Sequence, residues 1–233
     1  MKEQVIRTAM LLGHEAVNVL EQKHVAVYGI GGVGSFCAEA LARAGVGHLT
    51  LVDDDVVSES NLNRQLVALH STIGQHKTDV MAQRIAQINP ECRVTVLSRR
   101  YEPTVREAFF ETTQDFIADC IDSVACKTDL IATAIERGIP IISAMGTGNK
   151  LDPTKFVITD LSKTSGCPLA RVMRRELKQR GIVHHTVLYS LEPPVKPLFQ
   201  PDAGTNVPGS VAWVPSCAGL MMAGHIIQEL IRS

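Results

Sequence analysis

Between residues 53 and 77 the sequence gathers the side chains that a phosphate-handling site needs. Three carboxylates come in a row, Asp53, Asp54 and Asp55. Behind them crowd Asn61, Asn63, Arg64 and Gln65, then Lys77, and a further carboxylate, Asp122, lies downstream. Ahead of them all stands Gly29-Ile30-Gly31-Gly32-Val33-Gly34. Glycines let backbone N–H groups approach a phosphate where a Cβ would clash, and an aspartate about 20 residues further on is placed for ribose hydroxyls. Two cations can neutralise phosphoryl oxygens as charge builds on them, and a spare carboxylate can hold magnesium directly or through water. Together these suit a triphosphate with its magnesium. The glycine fingerprint alone favours a nicotinamide or flavin dehydrogenase. The polar cluster after Asp53, for which a dehydrogenase pocket has little need, turns the reading away from it.

The elements that must position these residues follow from hydrophobic periodicity. An apolar run at 25–28 enters the glycine loop, and small and apolar residues continue at helical spacing to Ala44. A second strand, 48–52, delivers Asp53, a helix from Gln75 to Ile88 begins around Lys77, and Asn89-Pro90 stops it. Strands are predicted at 93–97, 116–120 and 139–144, with a weaker helix near 104–112 and a firmer one over 123–137 ending at Gly138. Strands alternating with helices at this pitch argue a Rossmann-like, doubly wound, mostly parallel α/β sheet whose strand ends share one crevice. Beyond Lys150 the pattern loosens. Strands at 156–158 and 187–189, separated by a helix over 168–180, predict an antiparallel C-terminal extension. Prolines 193, 194, 197, 201 and 208 make 191–209 a long surface crossing, and a closing helix runs over 218–231. The chain divides into an N-terminal helical arm (1–22, broken near Gly13), a nucleotide-binding core (23–150) and a substrate-side extension (151–233), all of one domain.

Gly-Ile-Gly-Gly-Val-Gly, then Asp-x-Asp-x-Val-x-x-x-Asn-Leu-Asn-Arg-Gln, Gly-x-x-Lys and Asp-x-x-Asp-Ser together resemble the ubiquitin-activating-enzyme-like (ThiF/MoeB/HesA) adenylyltransferases. The resemblance is strongest, and runs nearly end to end, for the branch that dehydrates threonylcarbamoyladenosine in tRNA to its cyclic form. It implies ATP and Mg2+, a monovalent cation (K+ or Na+) whose ligands no residue set identifies, and a homodimer. The substrate it implies is tRNA carrying threonylcarbamoyladenosine next to the anticodon. Within that chemistry Asp53 holds the ribose, Asn61 and Arg64 the phosphates, Lys77 the leaving pyrophosphate side and Asp122 the metal. Gly29, Gly31, Gly32, Gly34, Asp55 and Gln65 join the nucleotide site, with the role of Gln65 open. Arg7, six residues before Gly13, matches an arginine that reaches into the partner subunit's site. Two other functions stay open: adenylation of a ubiquitin-like sulfur-carrier protein, with a sulfur-transfer or carrier protein as partner, and a non-catalytic nucleotide-sensing module.

Composition narrows the class. A chain of 233 residues, 45% hydrophobic, can build one sizeable core, and a formal charge of −1 excludes a uniformly basic nucleic-acid binder. The opening MKEQVIRTAM lacks a secretory signal, no stretch reads as membrane-spanning, and six scattered cysteines without a Cys-x-x-Cys pair read as reduced thiols, so a cytoplasmic protein is expected. Cys167 and Cys217 are the candidate nucleophiles should the chemistry need a thiol. Arg171, Arg174, Arg175 and Lys178 form a basic strip on the predicted helix after Pro168, with Lys163 and Arg180 nearby.

Overall fold

The computed structural model describes residues 3–201 and 206–232. Its strands are β1 (His24–Tyr28), β2 (His48–Val52), β3 (Arg93–Leu97), β4 (Phe116–Asp119), β5 (Ile141–Ala144), β6 (Phe156–Asp160) and β7 (Thr186–Ser190). Its helices are α1 (Ile6–Leu12), α2 (His14–Glu21), α3 (Gly34–Ala44), α4 (Lys77–Ile88), α5 (Val124–Glu136), α6 (Pro168–Gln179) and α7 (Trp213–Leu230). The strands form one sheet in the order β3-β2-β1-β4-β5-β7-β6. Every pairing is parallel except β6 with β7.

Strand β1 shows why helices must cover both faces. Val25 and Val27 enter one apolar layer with Leu41, Met81 and Ile226, while Ala26 and Tyr28 enter the other with Leu130, Ile131 and Met173. A strand apolar on both sides is stable only when both sides are covered, each large side chain contributing roughly 1.5–3 kcal/mol. The strand order reverses between β1 and β4, and ligands of such sheets lie in the crevice at that switch. There the two loops nearly touch: Cys120 N–H donates to the Tyr28 carbonyl at 2.8 Å. Gly29 has φ 88°, and a Cβ on it would stand 2.7 Å from the Cys120 carbonyl oxygen, so left-handed backbone and close approach both demand glycine.

Four expectations are refined. Gly13, at φ 92°, separates α1 from α2. The helix near 104–112 is a run of 3-10 turns, Pro103–Phe109, broken at Val105. The extension is antiparallel only at β6, because β7 pairs parallel with β5 and carries the main sheet one strand further. The closing helix starts at Trp213, with Pro215 in its first turn where a missing N–H is tolerated. Of the expected crossing, residues 202–205 lie outside the described residues. Among the described residues no helix is long and apolar enough to cross a membrane.

Candidate active site

A cleft of about 700 Å³ opens at the β1/β4 switch, lined by Gly29, Gly31, Gly32, Asp53, Asp55, Asn61, Arg64, Gln65, Lys77 and Asp122. Residues spread over nearly a hundred positions converge because each follows the carboxyl end of a strand or opens the helix after it.

Asp53 ends β2, and both its oxygens accept backbone N–H groups, from Ile30 at 2.6 Å and Asp55 at 2.8 Å. Burial nonetheless pushes its carboxyl up from the usual range. Lys77 is buried, with its ammonium 2.5 Å from Asp55, whose side chain is mostly exposed. The backbone brings the two together: residues 55–57 bridge antiparallel to 74–77, with Val57 N–H donating to Gln75 O and Lys77 N–H to Asp55 O. Asn61 spends its carbonyl oxygen on the Ser58 N–H, leaving its amide nitrogen as the group with donors to offer. Arg64 is turned by Ser60 O and Asn63 Oδ1, both at 2.8 Å. Gln65 lies beside Gly31, its buried Oε1 without a protein partner, the kind of orphan that a ligand donor satisfies.

Asp122 is exposed in the cleft, and a sealed network props the loop beneath it. Lys127 and Asp119, both wholly buried, form an ion pair at 2.9 Å. Lys127 also donates to Ile121 O at 3.0 Å, Asp119 Oδ1 accepts from the Ile121 N–H at 3.1 Å, and Ser143 Oγ donates to Asp119 at 2.6 Å. With its hydroxyl hydrogen given to Asp119, Ser143 accepts from His185 Nε2 at 2.7 Å. Burial, helped by the Lys127 charge, holds His185 down to about 4.

Of the residues assigned to the nucleotide chemistry, Gly34 and Arg7 stand outside the lining. Gly34 opens α3, and a Cβ on it would come within 1.7 Å of the Gly29 carbonyl oxygen, so it serves helix-to-loop packing rather than a phosphate. Arg7 lies exposed on α1, away from its own chain's cleft. The cleft also has walls that sequence reasoning missed. Arg99, Arg100 and Tyr101 follow the end of β3, and their place after a parallel strand was the available signal. Cys126 and the stretch Met145–Gly148 complete one side, and Val207, Pro208, Ser210 and Pro215 arrive from the far end of the chain. Asp53, Asp54 and Asp55 hold carboxylate oxygens within 4.8 Å of one another, a second oxygen-rich set in the cleft that Asp122 also lines. The lining cysteines are Cys120 and Cys126, whereas Cys167 is buried behind Gly146 and Cys217 lies on α7. The basic strip is thinner than predicted: Arg174 donates to Thr164, Arg175 pairs with Glu176 and Arg180 with Asp129.

A model of the ThiF family matches residues 4–233, essentially the whole chain. The chain belongs to the ThiF family. A Bacillus subtilis (strain 168) protein named tRNA threonylcarbamoyladenosine dehydratase is 44% identical over all of this chain and 96% of its own length. One of the same name from Escherichia coli (strain K12) is 46% identical over 77% of this chain and 67% of its own. The crystal structure of the E. coli dehydratase in complex with ATP superposes with a TM-score of 0.91 at 36% identity, covering 99% of this chain and 94% of that one. An AMP complex of the same enzyme matches equally well at 37% identity. The molybdopterin-synthase adenylyltransferase of E. coli is 33% identical over 64% of this chain and 58% of its own. Sheet order, the single antiparallel edge and the cleft thus belong to a fold whose solved relative holds ATP.

Proposed function

We propose that this ThiF-family chain is an ATP-dependent dehydratase that cyclises threonylcarbamoyladenosine in tRNA by adenylating its carboxylate. The observation that carries this reading is the convergence of Arg64, Lys77 and Asp122 on one cleft in a chain related over its whole length to such dehydratases. A carboxylate oxygen of the modified base attacks the α-phosphate and pyrophosphate leaves. A nucleophile within the same threonylcarbamoyl group then closes the ring and expels AMP, so the net change is loss of water and no enzyme thiol is required. Asp53 takes the ribose, Asn61 donates to phosphate oxygens, Arg64 stabilises charge on the reacting phosphate, and Lys77 exchanges Asp55 for the pyrophosphate side. Asp122 is the carboxylate suited to magnesium, whose charge, when bound, lowers the barrier at the phosphoryl oxygens.

Pyrophosphate exchange into ATP, measured with tRNA bearing the modification, with a sulfur-carrier protein and with neither, tests the reading. Exchange that requires modified tRNA and vanishes in Asp122→Ala supports it. Exchange that requires the carrier favours adenylation of a ubiquitin-like protein terminus, and nucleotide binding without exchange favours a sensor.

Arg7 extends the proposal to a homodimer. Beside it on α1, Met10 and Leu11 are 78% and 88% exposed, a placement that suits a second copy. A cation arriving from outside is worth roughly 10³-fold or more by analogy with arginine fingers. Mixing Arg7→Ala with Asp122→Ala chains then restores activity in mixed dimers, since each defect falls in a different site. No recovery would place Arg7 in its own subunit's chemistry or in none.

A further inference from the structure

Asn149 is the one non-glycine residue with positive φ among those described, at 58°. Asparagine tolerates the left-handed region better than most residues, yet such conformations persist where surroundings fix them. Three hydrogen bonds do so here, and they join two distant legs of the chain. Val195 N–H donates to the Asn149 carbonyl at 2.8 Å, on the leg leaving β7. On the leg returning to α7, Asn149 N–H donates to Gly209 O at 2.7 Å, and Gly209 N–H donates to Asn149 Oδ1 at 2.7 Å.

The neighbours of Asn149 reinforce this clasp. Gly148 packs so closely on Pro208 that a Cβ would stand 2.7 Å from the proline ring. Buried Lys150 donates to Glu192 O, and the Glu192 carboxylate accepts the Leu151 and Asp152 N–H groups. Past Gly209, the bonds continue across the cleft mouth. Ser210 O accepts from Asn63 Nδ2 at 2.9 Å, and Asn63 Oδ1 accepts from Arg64 at 2.8 Å. Thr147, Gly148, Arg64, Gln65, Pro208 and Ser210 all line the cleft, and the 208–210 stretch is tied at one end to Gly148 and Asn149 and at the other to Asn63. Pro215, in the first turn of α7 to which this leg returns, comes against Gly32, so this is the glycine-loop end of the cleft rather than the Arg99–Tyr101 end.

We propose that Asn149 is a positioning residue for adenylation: by clasping the two legs it ties down the 208–210 stretch of the cleft lining and, through Gly209, Ser210 and Asn63, sets Arg64 at the reacting phosphate. The inference rests on the proposed dehydratase reading. It assigns Asn149 to the chemical step rather than to nucleotide capture, because Asp53 is held by the Ile30 and Asp55 N–H groups, outside the clasp.

Three variants separate the contributions. Asn149→Gly keeps the left-handed backbone and deletes the side-chain acceptor, Asn149→Asp keeps both, and Asn149→Ala keeps neither cleanly. In Asn149→Gly the Gly209 amide should exchange with solvent deuterium faster, while the Val195 amide, bonded to a backbone carbonyl, stays protected. Turnover at saturating ATP and tRNA should fall roughly tenfold, the scale of one lost hydrogen bond, with the ATP Kd changed less than about twofold. Asn149→Asp should restore parental turnover, and Asn149→Ala should be the slowest. Parental kcat in folded Asn149→Gly, or a loss confined to thermal stability, overturns the positioning role. Unchanged Gly209 exchange overturns the clasp itself. A parent chain that never turns over tRNA refutes the dehydratase reading, whereas the amide exchange reads the clasp without substrate.

Discussion

Two lysine–carboxylate pairs flank the same crevice, and they differ in which end water can touch. Lys77 is buried but its partner Asp55 is 64% exposed at the side chain, whereas Lys127 and Asp119 are both sealed. A phosphate can therefore replace Asp55 at Lys77 without leaving either charge buried and alone. No ligand can do so at Lys127, whose partners are Asp119 and the carbonyls of the loop that ends in Asp122. One pair is exchangeable and serves the ligand; the other is fixed and serves the geometry of the carboxylate above it.

The largest expected effect is on the sealed pair. Lys127→Ala strands Asp119 in the core and should lower unfolding free energy by about 3–5 kcal/mol, read by urea denaturation. The same network carries a pH signature. His185 is held down to about 4, below its unfolded value of about 6.5. Its neutral form is thus the folded form, so its contribution is fully present above about pH 6.5 and is lost as pH falls toward about 4. Replacing His185 with Gln should flatten that acid limb.

Next comes Lys77→Ala, which should slow adenylation by about 2.7–4 kcal/mol, the scale of a preorganised electrostatic group. Its stability should change by less than about 1 kcal/mol, since the partner left behind is solvated. If instead Lys77→Ala unfolds the protein and Lys127→Ala does not, the contrast between the pairs is wrong.

The smallest effect belongs to cations with no buried partner. Arg171 and Lys178 remain exposed on α6, while Arg174 is folded onto Thr164. Replacing Arg171 and Lys178 with Ala should weaken tRNA binding modestly and reduce the log–log salt slope by slightly under about one unit per lost phosphate contact. An unchanged slope would put the tRNA-binding face elsewhere.

These contrasts also mark what the sequence discloses. The glycine loop, Asp53, the polar cluster and Asp122 are legible because each sits at a strand end with a local pattern, and the parallel sheet follows from the same alternation. Lys127 reads as an ordinary helix cation, since nothing local says that the first turns of α5 are buried against Asp119. Arg174 falls on the outer face by period, but its long stem lets the guanidinium fold back onto Thr164. Pro208 and Ser210 reach the cleft because Gly209 bonds to Asn149 and Ser210 to Asn63, 60 and 147 residues away in sequence, pairings that no periodicity encodes. Gly34 matches the motif as well as Gly31 does, and only the approach of Gly29 O separates packing from ligand contact.

In the proposed reaction the cleft activates a tRNA-borne carboxylate by joining it to the α-phosphate of ATP. Preparing modified tRNA with heavy oxygen in the threonylcarbamoyl carboxylate, and analysing the products of a complete reaction with ATP by mass spectrometry, tests it directly. One heavy oxygen is expected in AMP, with unlabelled pyrophosphate and a cyclised base. Label in inorganic phosphate with ADP as the nucleotide product, or cyclisation with unlabelled AMP, would contradict it.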